Sequence, residues 1–547
     1  MLIRLISLAI LLFFYKIAFS YSAENDFILP KNKPSVFKKL DNRGINSKII
    51  IPSKKPELNK VNQKNENINQ VDKILKKKQK TLISTSYVLP KKKPISYKVV
   101  DKKDNTARSK ILNQRDFDRT KEILRLIKAK KWNSALKQSR NVKDRDFRDL
   151  INWMYLKTSG NRASFNDYQK FIEKNGNYPR IGRLQYLAEH KIYLRNNSPT
   201  SIINWFQKYP PVSGMGKIKL AEAYLEQGKT ENIPTLIKEG WINASISKNE
   251  LGYYRAKFKK FLTADDHINR ADFLAWESKY WDLKRMLKYL PKDERALYNA
   301  RQILMSNSYG VDKSISNVPA HLKNDIGLEY DRLKWRYRRG RLEPSLEILY
   351  KNSNKSEEEL VRPDLWWKQR ESIVRSLIYK KKYKTAYKIS SEHSLSSGAD
   401  FAEAEWLAGW IAHTFLNSQE YAINHFLNFY DNVGYPISLA RGAYWLGRSY
   451  KALGDNSNAN KYFSEGSKFL TTYYGQLSHM EVYKDKGFTL VDDSNFTNDY
   501  EKEFSKNILI RHVKLLKELN SSSYSKDIIK HLAEINIEKG SEILAAK

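Results

Sequence analysis

The sequence contains no cysteine, so several kinds of chemistry are excluded from the start. Without a thiol there is no disulfide, no cysteine nucleophile, no thiolate-bound zinc and no iron–sulfur cluster. Only 22 glycines and 16 prolines occur among 547 residues, which disfavours an all-β fold with many tight turns. The nine histidines show no H-E-x-x-H spacing, and no glycine-rich phosphate-binding loop occurs. We therefore predict no cofactor, and no metal-binding or cofactor-binding residues.

Acidic residues are scarce relative to basic ones. The chain has 60 aspartates and glutamates and 98 lysines and arginines, so its formal net charge is +38. Such a charge suits nucleic acid, but the N-terminus argues against that partner because it carries an export signal. A basic start at Arg4 is followed by an apolar run over 5–14 and by small residues at Ser20 and Ser22. This pattern predicts a signal peptide over 1–22, with an uncleaved N-terminal anchor as the alternative.

The next stretch, 23–115, is predicted to be a disordered basic tail. It is rich in lysine, asparagine, serine and proline, and the pattern P-x-x-K-P occurs at 30–34, 52–56 and 90–94. Proline fixes φ and the lysines repel one another, so these segments favour an extended, solvated chain. The tail is either an electrostatic handle for an anionic surface or a passive linker.

From residue 116 onward the pattern changes to the 3.6-residue period of α-helices, in a chain long enough for several domains or a repeat array. Ala402, Trp406 and Trp410 fall on one face of a helix that is predicted to run to about Leu416. Glycines and prolines separate the helical segments. These predicted breaks are Gly160, Pro210–Pro211, Gly228, Pro291, Gly340 and Gly454.

One repeat unit is visible near the end of the array. Leu446-Gly447-x2-Tyr450, followed by Ala459, Phe463 and Gly466, has the spacing of a tetratricopeptide helix pair. The small residues let two antiparallel helices approach, and the aromatic rings fill the groove beside them. The period is irregular across the chain. The sequence therefore predicts an all-α fold, a right-handed superhelical, tetratricopeptide-like solenoid or ring of helix hairpins.

Tryptophan is concentrated in the same array, where all 12 residues lie between Trp132 and Trp445. Stacked aromatic rings could form sugar-binding platforms, but large aromatic residues in helical repeats usually belong to the core. We interpret five prominent tryptophans as core residues. They are Trp366, Trp367, Trp406, Trp410 and Trp445.

Four runs of sequence carry a resemblance to a known family. They are WWKQR at 366–370, SSGADFAEAEWLAGW at 396–410, PISLARGAYWLGR at 436–448 and TTYYGQL at 471–477. These runs resemble the soluble lytic murein transglycosylases, strongly over 330–480 and more loosely over 116–330. The resemblance implies an exported enzyme that cleaves the MurNAc–GlcNAc β-1,4 bond of peptidoglycan and leaves a 1,6-anhydro end. It also implies a superhelical ring domain over 116–480 and a helical linker domain over 481–547.

The catalytic domain of that family is not recognisable in this sequence. In the family it has a lysozyme-like fold, with a general acid/base Glu-Ser and a Gly-Leu-Met-Gln motif that is absent from these 547 residues. Glu-Ser occurs twice, at Glu277-Ser278 and Glu371-Ser372, both within helical segments. An acid that cleaves glycosides needs a desolvated cleft to raise its pKa. We interpret both glutamates as solvated surface and predict no catalytic residue.

Two functions fit these observations. The first is an exported, peptidoglycan-associated protein of the lytic transglycosylase family that acts in murein cleavage and turnover. Its catalytic part would be lost or encoded separately, and this chain alone would be inactive. The second is a non-enzymatic periplasmic scaffold that binds a protein or glycan. Expected partners are glycan strands, a lysozyme-like polypeptide docking near 500–547, and peripheral anionic surfaces, but not nucleic acid.

Overall fold

The computed structural model describes residues 108–306, 309–484, 486–488, 498–535 and 541–546. All of them lie in one compact unit of the chain, Lys98–Lys547. The predicted signal peptide and most of the predicted tail lie outside the described residues. Within the described ranges every regular element is a helix, and no β-strand occurs. The all-α prediction is confirmed for this part of the chain.

The first helices are α1 (Gln114–Lys128), α2 (Trp132–Ser139), α3 (Arg145–Leu156), α4 (Phe165–Lys174), α5 (Ile181–Glu189), α6 (Pro199–Lys208), α7 (Gly214–Glu226), α8 (Ile233–Asn243) and α9 (Lys248–Lys257). The middle helices are α10 (Ala264–Trp276), α11 (Tyr280–Met286), α12 (Lys292–Leu304), α13 (Val311–Ser316), α14 (Ile326–Arg338), α15 (Leu342–Lys351), α16 (Glu357–Leu360), α17 (Pro363–Tyr379) and α18 (Tyr383–Ser391). The last helices are α19 (Gly398–Ile411), α20 (Gln419–Asp431), α21 (Pro436–Leu453), α22 (Asn456–Ser467), α23 (Tyr473–Tyr483), α24 (Asn498–Ser505), α25 (Ile508–Glu518), α26 (Lys526–Glu534) and α27 (Ser541–Ala546). Short 3₁₀ turns are Leu287–Tyr289, Ala320–Leu322 and Ser522–Tyr524, and one π-helical turn is Ala412–Leu416.

Helices that follow one another pack together as hairpins, for example α7 with α8, α19 with α20 and α21 with α22. The core is therefore a series of apolar clusters along the array rather than a single centre. Each helix contributes one apolar stripe, which a neighbour covers because no helix can bury it alone. This arrangement confirms the prediction of an array of helix hairpins.

All of the predicted breaks fall between helices. Gly454 shows the reason most directly, because it ends α21 with a φ of +84°, a conformation that glycine adopts at little cost. Pro291 immediately precedes α12, where a missing N–H disturbs no helical hydrogen bond. The helix predicted to reach Leu416 does so, since α19 continues directly into the π-helical turn.

The predicted tetratricopeptide-like pair corresponds to α21 and α22. A Cβ atom built on Gly447 would lie 2.6 Å from Cδ1 and Cε1 of Phe463, so the two helices meet where a side chain is missing. Tyr450 and Tyr462 stack beside this contact, with ring centroids 5.6 Å apart. Gly466 is equally close-packed, but against Ser478 of the next helix, α23. The steric interpretation of this repeat is confirmed for Gly447, whereas Gly466 makes room for the following helix rather than for the pair.

The five prominent tryptophans divide into two groups. Trp366 and Trp367 are fully buried, at 0% and 1% exposure, as core residues should be. Trp406, Trp410 and Trp445 pack against the apolar clusters but stay partly exposed. The rings of Trp406 and Trp410 stack with centroids 5.9 Å apart. The core interpretation holds fully for the first group and only partly for the second.

The C-terminal helices α24–α27 contact the first helices of the array. Their apolar residues share one cluster with those of α1–α6. Arg511 of α25 pairs with Asp144, with 3.1 Å between Nη1 and Oδ1, and Lys157 Nζ lies 2.8 Å from Asp527 Oδ2. These ion pairs link residues that are separated by more than half of the sequence. Among the described helices, none is both long and apolar enough for a membrane crossing.

Candidate functional site

Charged side chains from three helices form a continuous series of ion pairs. On α17, Glu371 Oε1 lies 2.6 Å from Arg375 Nη2, one helical turn away. The same Nη2 is 3.6 Å from Glu403 Oε1 on α19. The other oxygen of Glu403 lies 3.4 Å from Nη1 of Arg441 on α21. We call these four residues, Glu371, Arg375, Glu403 and Arg441, the charged face.

An aromatic ring borders the charged face at Arg441. The centre of its guanidinium group lies 3.4 Å from the ring centroid of Trp406, a cation–π contact that is strengthened by partial burial. Burial also lowers the pKa of Arg441, and the nearby carboxylate of Glu403 counteracts the change. Because Trp406 is only partly buried, a partner at this face would meet both a flat ring and fixed charges.

A second group of charges lies at the start of α17. Arg362 binds both carboxylate oxygens of Asp364 at 2.9 Å. Asp400 of α19 interacts electrostatically with Asp364 and Glu371. Burial raises the pKa of Asp400, Lys368 opposes the rise, and the two carboxylates add to it. Asp400 thus connects this group electrostatically with the charged face.

Beneath the surface, α19 carries a buried carboxylate held by two histidines. Glu405 accepts hydrogen bonds from His393 Nε2 at 2.9 Å and from His425 Nδ1 at 2.7 Å. Asn428 Nδ2 donates a third bond at 3.2 Å. Burial alone would raise the pKa of Glu405, but the hydrogen bonds from the histidines outweigh it and lower the pKa to about 2. This ionised carboxylate ties α20 to the helix that carries Glu403 and Trp406.

The structure places both Glu-Ser glutamates in ion pairs at the surface. The side chain of Glu277 is 39% exposed, and its Oε1 lies 3.0 Å from Arg362 Nη1. Glu371 belongs to the charged face and pairs with Arg375. Both carboxylates are thus held by guanidinium groups at the surface, whereas a general acid that cleaves glycosides needs a desolvated cleft. Glu277 is nevertheless linked to the group of charges at the start of α17. Its partner Arg362 also binds Asp364, and the Asp364 carboxylate contributes to the raised pKa of Asp400.

The chemistry of this region is that of a binding surface. In the part of the chain that the structure describes, no group of three histidine, aspartate or glutamate side chains could hold a metal ion. His393 and His425 bind different oxygens of Glu405, so the three groups do not converge on one point. What remains on the surface is a set of paired charges beside an aromatic ring, which suits a polar or charged partner.

Glu371 was singled out from the sequence, and the resembling runs contain Glu403 and Arg441, but the ion pairs between helices were not predicted. The Glu371–Arg375 pair was readable, because its i,i+4 spacing is the one that joins side chains on a helix. Arg441 reaches Glu403 across 38 positions, and His425 reaches Glu405 across 20. No periodicity within one helix predicts pairs of that kind.

The class of protein that these observations define is an all-α array of helix hairpins with ion-paired side chains along three neighbouring helices. No protein-family model matches the sequence, and no curated protein does. Two solved structures have a similar fold. The 70-kDa soluble lytic transglycosylase Slt70 from Escherichia coli shares 10% identity, with a TM-score of 0.48 over 79% of this chain and 67% of that one. An inactive mutant of the lytic transglycosylase Slt from Pseudomonas aeruginosa shares 14% identity, with a TM-score of 0.48 over 75% and 65%.

Proposed function

We propose that this chain is an exported, peptidoglycan-associated protein of the lytic transglycosylase family that acts in murein turnover in the periplasm. The observation that carries the proposal is that three of the resembling runs belong to the helices that build the charged face. The resembling runs at 366–370, 396–410 and 436–448 belong to α17, α19 and α21, the three helices that build the charged face. The runs at 396–410 and 436–448 supply Glu403 and Arg441 of this face, and the run at 366–370 ends immediately before Glu371. The proposal includes the right-handed ring arrangement of the helices.

In this proposal the chain binds and positions, and the bond-breaking acid belongs to a lysozyme-like polypeptide. Cleavage with 1,6-anhydro formation needs one carboxylic acid that protonates the glycosidic oxygen. The resulting carboxylate then takes the proton of the sugar's own 6-hydroxyl. Glu277 and Glu371 are each paired with a guanidinium and partly solvated, which supports assigning them another role. The charged face is the surface proposed to meet glycan strands or the catalytic polypeptide.

The activity of the chain tests this division of labour. Residues 23–547 alone are expected to release no anhydromuropeptides from purified sacculi, and to increase their release by an added lysozyme-like transglycosylase domain. Product analysis by mass spectrometry measures both. Anhydro-products from the chain alone that disappear in Glu277→Gln or Glu371→Gln would contradict the proposal, because the acid would then lie within the helical array.

A charge reversal tests the face itself. Arg441→Glu places a carboxylate beside Glu403, so it is expected to reduce both sedimentation with sacculi and the stimulation of the added domain. Arg195→Glu is the matched control, because it makes the same change of charge at an exposed arginine on another part of the array. Far-UV spectra check that both variants fold. Equal losses in the two variants would show that only net charge matters.

The second candidate function is a non-enzymatic periplasmic scaffold that binds a protein or glycan. The ion-paired state of both Glu-Ser glutamates favours it as much as it favours a binding role beside an enzyme. The same assay separates the two candidates. Binding to sacculi or to a partner protein without any effect on anhydro-product release would identify a scaffold.

A further inference from the structure

A cavity of about 360 Å³ lies beside α14, on a part of the array that the charged face does not include. One wall is apolar and consists of Leu304 at the end of α12 with Val311 and Ile315 of α13. The ring of Trp335 on α14 extends this apolar surface. The volume is in the range of small-ligand pockets, about 300–1,000 Å³.

The opposite side of the cavity is basic. Lys323, Arg332, Arg336 and Arg341 line it, and Asp312 is the acidic residue among the described lining residues. Part of this charge belongs to the last turns of α14, where cations complement the helix dipole. Lys323 lies between the 3₁₀ turn Ala320–Leu322, which it caps at the C-terminal end, and the start of α14.

Two of the four cations have carboxylate partners. Arg332 Nη1 lies 3.1 Å from Glu329 Oε1, and Arg336 Nη1 lies 3.5 Å from Glu347 Oε2. Within the described structure, Lys323 and Arg341 make no ion pair. Burial and the neighbouring Arg332 lower the pKa of Arg336, although the glutamates oppose the change. Lys323 and Arg341 are both exposed, so they leave positive charge without a carboxylate partner at the solvent side of the cavity.

The backbone places one of these unpaired cations over the aromatic ring. Gly340 ends the stretch after α14 with a φ of +73°, and this turn directs the chain back along the helix. The guanidinium centre of the next residue, Arg341, then lies 5.2 Å from the ring centroid of Trp335. This contact holds the Arg341 guanidinium beside the apolar wall.

We propose that this cavity binds a peptide carboxylate, with Lys323 and Arg341 holding its oxygens and the apolar wall holding its aliphatic part. Guanidinium groups bind planar carboxylates through paired hydrogen bonds. The short acidic peptides attached to peptidoglycan glycan strands have this chemistry. The identity of the ligand rests on the proposed function, whereas the cavity and its unpaired cations do not.

Isothermal titration of residues 23–547 with the tripeptide L-Ala-γ-D-Glu-diaminopimelate tests the proposal. The double variant Lys323→Gln/Arg341→Gln is expected to weaken binding about tenfold or more, because it removes two charge-assisted hydrogen bonds. The control is Arg195→Gln/Lys284→Gln, which removes the same charge at exposed positions and should bind like the parent chain.

Three results would overturn the proposal. They are no binding by the parent chain, equal binding of the tripeptide with amidated carboxylates, and an equal loss in the control variant. Binding of phosphatidylglycerol vesicles or inorganic phosphate in place of the tripeptide would also overturn it, because the ligand would then be a phosphate. The sacculus assay stands apart from this titration. If the tripeptide binds and sacculus digestion is unaffected, only the proposed function is contradicted. If the tripeptide does not bind and the chain still increases sacculus digestion, only the proposed peptide site is contradicted.

Discussion

Replacing Gly447 with leucine is expected to cost about 3 kcal/mol of unfolding free energy. The reason is the direct contact between α21 and α22. Even a single Cβ at this position would lie 2.6 Å from the ring of Phe463, and that ring is 2% exposed and enclosed by its neighbours. Four added carbon atoms must therefore separate the helices or displace a buried ring. Urea denaturation followed by circular dichroism measures the loss.

The chain offers a matched control for this substitution. Gly252 lies inside helix α9, and a Cβ there would meet nothing within 4 Å. Gly252→Leu should be neutral or stabilising by up to about 1 kcal/mol, because leucine is the better helix former. A double-mutant cycle adds a second check, since trimming the ring in Phe463→Leu should reduce the cost of Gly447→Ala. Additive effects in that cycle would argue against overpacking as the cause.

Features of this fold that depend on residues close together in the sequence were predictable from it. Gly454 ends α21 because glycine takes a positive φ at little cost, and this preference is visible in a single residue. The contact between Gly447 and Phe463 follows from the spacing of small and large residues in one helix pair. Both features are local, because each depends on residues that are close together in the sequence.

The candidate site was less predictable, because its pairs join distant parts of the chain. Glu405 sits among alanines and tryptophans, where nothing in the sequence indicates that His393 and His425 will reach it from two sides. Partial exposure of Trp406 likewise depends on how Arg441 of another helix covers it. Such contacts are set by the relative placement of helices, which helical periodicity leaves open.

Contacts between the two ends of the described array could not be predicted either, and one of them is expected to make stability depend on pH. His512 of α25 is fully buried and lies 2.7 Å from the hydroxyl of Tyr178. Burial, with a smaller effect of Arg511, lowers the pKa of His512 from 6.5 to about 4. Between these pH values the unfolded chain binds the proton and the folded chain does not. Acidification from pH 6.5 to 4 should therefore cost about 3 kcal/mol at this residue.

A comparison of variants separates the effect of His512 on stability from that of buried carboxyl groups, whose effect on stability has the opposite sign as the pH falls. Burial raises the pKa of Glu189 to about 7 and that of Asp331 to about 6, so both carboxyls favour the folded state as the pH falls. His512→Gln removes one titrating group and should lose less stability than the parent chain between pH 6.5 and 4, measured by urea denaturation. His321→Gln, at an exposed histidine outside this contact, should follow the parent chain. Parallel profiles for all three proteins would contradict the assignment.

Below this range a second group of charges at the same contact should act. The pKa values of Asp144 and Asp527 are lowered, because hydrogen bonds from Arg511 and Lys157 outweigh the opposing effect of burial. A carboxyl of this kind stabilises the folded state above its ordinary pKa of 3.8, and the stabilisation is lost as the pH falls further. His512 should thus loosen α24–α27 from α1–α6 first, and the carboxylates should complete the opening. Hydrogen exchange in α25, compared between pH 7 and 4.5 after correction for intrinsic rates, should rise in the parent chain and much less in His512→Gln.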